Sequence, residues 1–156
     1  MTENKQGELL VIRSGDAFQP FNWSMGKYGS RFLRELSENK RIVGIRCGKC
    51  GTVYVPPRLV CGPCYAAMDE IVPLTGEGVI NACTIVRFSF VDPATGVSRP
   101  VPYGAGFVKL DGADNSLPHF FDSADPQKVK VGARVRAVFE EERTGGIMDI
   151  KHFAIL

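Results

Sequence analysis

Four cysteines at a repeated spacing are the residues of this chain best suited to chemistry. Cys47-Gly48-Lys49-Cys50-Gly51 is followed, after ten residues beyond Cys50, by Cys61-Gly62-Pro63-Cys64. Two residues between cysteines let one tight turn offer both sulfurs to one ion, and two such pairs supply the four corners of a tetrahedron. The metal this serves best is a structural Zn²⁺, with iron as the other occupant of thiolate-rich tetrahedra. Two disulfides, or a redox Cys-x-x-Cys, are the competing readings. Disulfides need an exported chain, and a redox pair opens a helix instead of facing a second pair. Gly51 suits the positive φ in which such a turn ends. Tyr65 follows the second pair, where glycine would be easier.

The remaining chemistry-bearing residues are isolated. His119 and His152 fall in predicted strands with no carboxylate or cysteine at ligand spacing, so both read as structural or surface histidines. Cys83 lies among Ala82, Thr84 and Ile85 and reads as a small buried hydrophobe. The acidic run Glu140-Glu141-Glu142 borders a turn and reads as a solvated face. No Walker loop, Gly-x-Ser-x-Gly or metalloprotease motif is present. The expected catalytic set is therefore none.

Composition sets the frame for these residues. With 156 residues, 44% hydrophobic and 23% charged, the chain has the make-up of a soluble globular protein. No run of 18 apolar residues offers a membrane span. The polar start, Met1 to Gly7, lacks the apolar core of a signal peptide, so a cytoplasmic location with reduced thiols is expected. Net charge is +2 but uneven: residues 1–50 hold nine Lys/Arg against five Asp/Glu. Lys27, Arg31, Arg34, Lys40, Arg41, Arg46 and Lys49 concentrate before and at the first cysteine pair. They are placed to offset a zinc–thiolate centre, and any remainder to meet phosphate.

The elements that must position the cysteines follow from pattern. Residues 1–29 read as an extended arm carrying Phe18, Pro20, Phe21, Trp23 and Tyr28. It is either self-packed or a docking arm. Ser30 is a suitable N-cap for a helix over 31–38 with Phe32, Leu33 and Leu36 on one face, and Asn39 is a left-handed stop. A strand over 41–46 enters the first cysteine turn, and 52–55 returns as its hairpin partner until Pro56-Pro57. Arg58 follows in an exposed loop.

Beyond residue 76 the pattern is all β. A long strand over 78–91 puts Ile80, Ala82, Val86, Phe88 and Phe90 on one face, with Val79, Cys83 and Ile85 on the other. A turn over 92–96 leads to a strand over 103–110, whose Gly104 and Gly106 permit a bulge or bend. Strands over 117–122, 132–139 and 147–155 complete five, with one helical turn near Asp125. Phe88, Phe90, Phe107 and Phe139 are expected in the core. The fold class is mainly β: arm and helix over 1–40, zinc ribbon over 41–75, and a five-stranded OB-type barrel over 76–156.

Six stretches carry a resemblance. Gly26-x-x-Gly-Ser-Arg-Phe-Leu-x-x-Leu, Arg41-Ile-Val-Gly-Ile-Arg-Cys-x-x-Cys-Gly and Val55-Pro-Pro-Arg-x-x-Cys-x-x-Cys follow one another, and Gly76-Glu-Gly-Val-Ile comes next. With Pro102-Tyr103 and Val129-x-Val-Gly-x-x-Val, the series resembles the rubredoxin-like zinc-ribbon plus OB-fold proteins associated with acyl-CoA metabolism. That resemblance implies a non-catalytic accessory subunit of a thiolase-type acyltransferase complex. Such a subunit docks on the catalytic chain in a hetero-oligomer and helps form its CoA or acyl-CoA site. Within the family, the chain is similar to small subunits of thiolases for aromatic or branched acyl-CoAs such as benzoylsuccinyl-CoA. The family's metal ligands fall on Cys47, Cys50, Cys61 and Cys64, and no motif fixes a CoA contact. The rival class is a single-stranded nucleic-acid-binding ribbon and OB module. The net-acidic barrel half and phenylalanines expected in the core argue against it.

Overall fold

The computed structural model describes residues 24–89, 91 and 96–156. The expectations for Phe18, Pro20, Phe21 and Trp23, for Phe90 and for the turn residues 92–95 lie outside the described residues. No helix among the described residues is long and apolar enough to cross a membrane.

One helix, α1 (Gly26–Asn39), precedes two sheets. It begins five residues before the expected start, so Ser30 sits inside it and not at its cap. Tertiary contact outweighs the poor helix propensity of its two glycines. Tyr28 donates its hydroxyl to the Met68 carbonyl at 2.7 Å, and Phe32 and Leu36 are buried. The left-handed stop is Lys40 (φ 49°), one residue later than expected. The Asn39 amide instead donates to Glu35 at 3.0 Å.

The first sheet has the order β2-β1-β3, all antiparallel, from β1 (Ile42–Arg46), β2 (Val53–Tyr54) and β3 (Glu70–Leu74). The sequence reading missed β3 because Pro73 interrupts its pattern. As an edge strand, β3 tolerates a residue that cannot donate to the ladder. The second sheet has the order β6-β5-β4-β7-β8. Its strands are β4 (Glu77–Val86), β5 (Tyr103–Leu110), β6 (Ser116–Phe120), β7 (Arg134–Phe139) and β8 (Ile150–Ile155). A parallel bridge from Phe121 to Phe153 brings the two outer strands together, closing the five strands into the expected OB-type barrel. The start of the last predicted strand is a 3-10 turn, Ile147–Asp149.

A bulge overturns the expected face assignment of the long strand. Ile80 pairs with Val108 but Ala82 pairs with Phe107, which leaves Asn81 as the extra residue. One inserted residue reverses which side chains point inward. Ile80 is buried, whereas beyond the bulge Cys83 and Ile85 pack on the core and Ala82 is exposed. The bulge therefore lies in β4, not at the β5 glycines. Gly106 instead permits close approach, since a Cβ there would strike the Ala82 carbonyl. Two further core expectations fail: Phe88 is 70% and Phe107 48% exposed. Phe139 packs against the core, and β7 alternates as read, with Val135 buried and Arg134 exposed.

One hydrophobic core runs through the helix, the first sheet and the barrel, from Phe32 and Leu36 through Ile42, Val43 and Val55 to Ile80, Leu110 and Phe153. A smaller cluster of Ile45, Cys47, Cys61 and Met68 lies at the cysteine end. Polar contacts also cross between the sheets. Asp114 accepts the Val53 N–H at 2.8 Å, and Asn115 both accepts from the Val55 N–H and donates to its carbonyl.

Candidate metal centre

The two cysteine turns are built alike. In the first, the Gly51 N–H donates to the Cys47 carbonyl at 2.8 Å and the Cys47 N–H to the Thr52 carbonyl at 2.9 Å. In the second, the Tyr65 N–H donates to the Cys61 carbonyl and the Cys61 N–H to the Ala66 carbonyl, both at 2.9 Å. β1 delivers Cys47 and β2 carries the chain away. A bridge between Val60 and Ala67 closes the base of the second turn. The turns face each other, so the sulfurs of Cys47, Cys50, Cys61 and Cys64 all lie within 4.8 Å of one another.

This donor set fits a tetrahedral thiophilic ion. Bonds of about 2.3 Å to zinc place the sulfurs of a tetrahedron about 3.8 Å apart. The Cys50 and Cys61 sulfurs are 3.6 Å apart. Cys47 and Cys61 are fully buried, Cys64 is half-buried, and Cys50 opens to solvent. No disulfide joins any of them.

Electrostatics within the cluster also call for a cation. The Thr52 hydroxyl and then its backbone N–H stabilise the Cys50 thiolate, whose pKa is lowered to about 6. Cys64 is pushed up to about 12, first by its hydrogen bond with Cys50 and then by burial. The Cys64 backbone N–H favours the Cys61 thiolate, yet burial and the neighbouring Cys50 and Cys47 outweigh it and raise that thiol. One thiolate thus suppresses the ionisation of the others, and a divalent ion removes that penalty. Thr52 is a contributor that sequence reading missed. Its position directly after Gly51 was the available signal.

Most of the basic residues do not serve the cluster. Arg31 and Arg41 both contact the buried carboxylate of Glu35, at 3.0 and 2.7 Å. Lys40 meets Glu141, and Arg46 meets Glu70. Arg58 stacks over Tyr54 at 4.7 Å, and Lys27 over Tyr28 at 5.5 Å. Glu70 and Glu141 lie far along the chain from their cations, whereas Glu35, Tyr28 and Tyr54 are near neighbours that a count of charge overlooks.

The other isolated candidates stay apart. The Cys83 thiol donates to the Val129 carbonyl at 3.5 Å. His119 is buried, its Nε2 lies 3.4 Å from the Ile147 carbonyl, and its Nδ1 has no partner. Desolvation lowers its pKa and so disfavours the charged ring.

Comparison with known proteins gives a consistent outcome. The family description "ChsH2, rubredoxin-like zinc ribbon domain" matches residues 39–69, and "ChsH2, C-terminal OB-fold domain" matches residues 71–140. A DUF35 domain-containing scaffold protein of Methanocaldococcus jannaschii is 28% identical over 117 residues, covering 74% of this chain and 79% of the relative. A second such scaffold protein, from Methanothermobacter thermautotrophicus, is 25% identical over 118 residues, covering 74% and 84%. A DUF35-family protein of unknown function from Sulfolobus solfataricus superposes with a TM-score of 0.59 at 21% identity, covering 83% of this chain and 84% of that one. A chain described as "Ltp2-ChsH2(DUF35) aldolase" superposes with a TM-score of 0.56 at 24% identity, covering 74% and 87%. At these identities the two structures speak for the fold.

Proposed function

The chain belongs to the ChsH2-type family of zinc-ribbon and OB-fold proteins, and on that premise we propose that it is a zinc-holding accessory subunit of a thiolase-type acyl-CoA enzyme. Cys47, Cys50, Cys61 and Cys64 hold one structural Zn²⁺, which ties the two turns together and contributes to folding. The catalytic partner brings the activated cysteine and the acid–base group that acyl transfer requires. This chain docks on that partner in the cytoplasm and helps shape the CoA or acyl-CoA site.

A single observation carries the accessory reading: all five cysteines, the residue type that acyl transfer by a thiolase uses as nucleophile, are already engaged. Four cysteines face one another, the fifth is bonded to a backbone carbonyl, and the buried histidine leans on another carbonyl. The scaffold naming of the archaeal relatives supports it.

The test is thiolysis of candidate acyl-CoAs, benzoylsuccinyl-CoA among them, by the co-purified partner with and without this chain. Full activity is expected only with both. Activity unchanged by its omission, or present in this chain alone, would overturn the reading. An aldolase partner is the second reading, favoured by the Ltp2-ChsH2(DUF35) aldolase likeness. Retro-aldol cleavage in place of thiolysis by the same complex would establish it.

A further inference from the structure

The outer face of β4, β5 and β6 is apolar where a sheet face turned to water is ordinarily polar. The Asn81 bulge turns Thr84 outward, and alternation turns Ala105 and Phe107 outward on β5 and Pro118 and Phe120 on β6. Thr84, Ala105 and Phe120 are cross-strand neighbours, and Phe107 pairs with Pro118. Small Ala105 is therefore the low point between two phenylalanines. Ile147 and Met148 of the 3-10 turn wall the β6 side, leaving an open cleft of about 410 Å³. Phe107 and Met148, at 48% and 45% exposure, are far more open than core residues.

The border of this cleft is cationic. The Arg99 guanidinium lies 3.7 Å from the Phe120 ring centroid and 5.5 Å from that of Tyr103. Lys109 follows Phe107 outward on β5. Neither pairs with a carboxylate among the described residues. No Asp or Glu stands among the outward residues of β5 and β6.

A small-molecule pocket fixes its ligand with a few convergent polar groups. The histidine in this wall offers none, since Nε2 bonds the Ile147 carbonyl and Nδ1 is buried from the cleft. An apolar floor with an unpaired basic border matches a protein surface instead: a branched or aromatic side chain flanked by carboxylates. We propose that this face seats the catalytic partner, whose side chain enters over Ala105 while its acidic residues meet Arg99 and Lys109. The assignment rests on the accessory-subunit reading.

The experiment uses the full chain and the subunit that co-purifies with it, identified by mass spectrometry and re-purified. Ala105→Arg fills the cleft, Phe107→Ser removes one wall, and Arg99→Glu reverses the border. All three point outward, and circular dichroism and zinc content confirm that each variant folds. Ala105→Arg and Phe107→Ser should each weaken binding by at least about 30-fold, the loss that marks an interface hot spot. Wild-type affinity should fall with salt, and Arg99→Glu should remove most of that dependence. Wild-type affinity in the three variants overturns this face and leaves the accessory reading standing. A partner lost through these variants that is not an acyl-CoA enzyme upholds the face and sinks that reading. No co-purifying subunit at all overturns both. Binding of benzoate or oligo(dT) at this cleft by the chain alone overturns the protein-docking assignment.

Discussion

Gly51 and Tyr65 occupy equivalent places in the two cysteine turns. Each donates its N–H to the carbonyl of the leading cysteine, and each has a positive φ, 77° and 54°. Glycine adopts that region freely, whereas a side chain makes it unfavourable by about 1–2 kcal/mol. Tyr65 is 85% exposed, so removing its ring sacrifices little packing. Tyr65→Gly should stabilise the metal-loaded protein by about 0.5–1 kcal/mol once the added freedom of the unfolded chain is subtracted. Gly51→Tyr should destabilise it by about 1 kcal/mol, and urea denaturation measures both.

One zinc per chain is the expected result of elemental analysis on protein grown without added metal. Chelation should release binding energy on the order of 10 kcal/mol from the folded state, shared between the turns and the structure behind them. The cysteine end packs as its own small cluster, so Cys61→Ser should abolish stoichiometric zinc and lower the melting temperature yet keep the barrel's β signature. A visible thiolate-to-iron absorption band would replace zinc with iron.

Glu35 should make stability depend on acid. Its carboxylate, buried beneath two half-exposed arginines, has a pKa lowered chiefly by the hydrogen bond from Arg41, with Asn39 and Arg31 adding to it. A carboxylate with a depressed folded pKa contributes fully above its ordinary range, near pH 4.5, and loses that contribution as pH falls through the folded value. Glu35→Gln should therefore be about 1–2 kcal/mol less stable than wild type at pH 7. The difference should shrink as pH falls below 4.5. A gap that stays constant down to the acid limit would rule out the linkage.

Asp149 should act as the latch of the β7–β8 connection. Its buried carboxylate accepts the N–H groups of Thr144 and Gly145 at 2.8 and 2.9 Å. Next to them, Arg143 donates to the Ser37 carbonyl of α1 at 2.6 Å. Asp149→Ala leaves two amides without their acceptor and should cost about 2–3 kcal/mol. Amide exchange should quicken first at Thr144 and Gly145, before any change in the barrel strands.

Much of this arrangement was legible in spacing. Cys47 to Cys64 announce themselves through turn chemistry, β7 through alternation, and β1 and β5 through short apolar runs bounded by turns. Three features were not legible, for separate reasons. Pro73 hid β3, because only its edge position makes that proline acceptable. Asn81 inverted the second half of β4, since a bulge adds a residue without altering any local propensity. The destinations of Arg41, Arg46 and Lys40 depend on carboxylates brought close by folding. The outward Phe107 was misread for a related reason. Hydrophobicity reports that a side chain avoids water, not whether its cover comes from its own chain.

The bond set joining Asp114 and Asn115 to Val53 and Val55 limits how this architecture can be recombined. The turn between β5 and β6 supplies donors and acceptors to the ribbon's short β2, which has only two residues of its own to pair with β1. A chimera that grafts this ribbon onto a foreign barrel would orphan those amides unless the graft carried the Asp-Asn pair along. Residues far apart in sequence must therefore be inherited together, the ribbon with the turn that grips it and with the barrel residues that share its core.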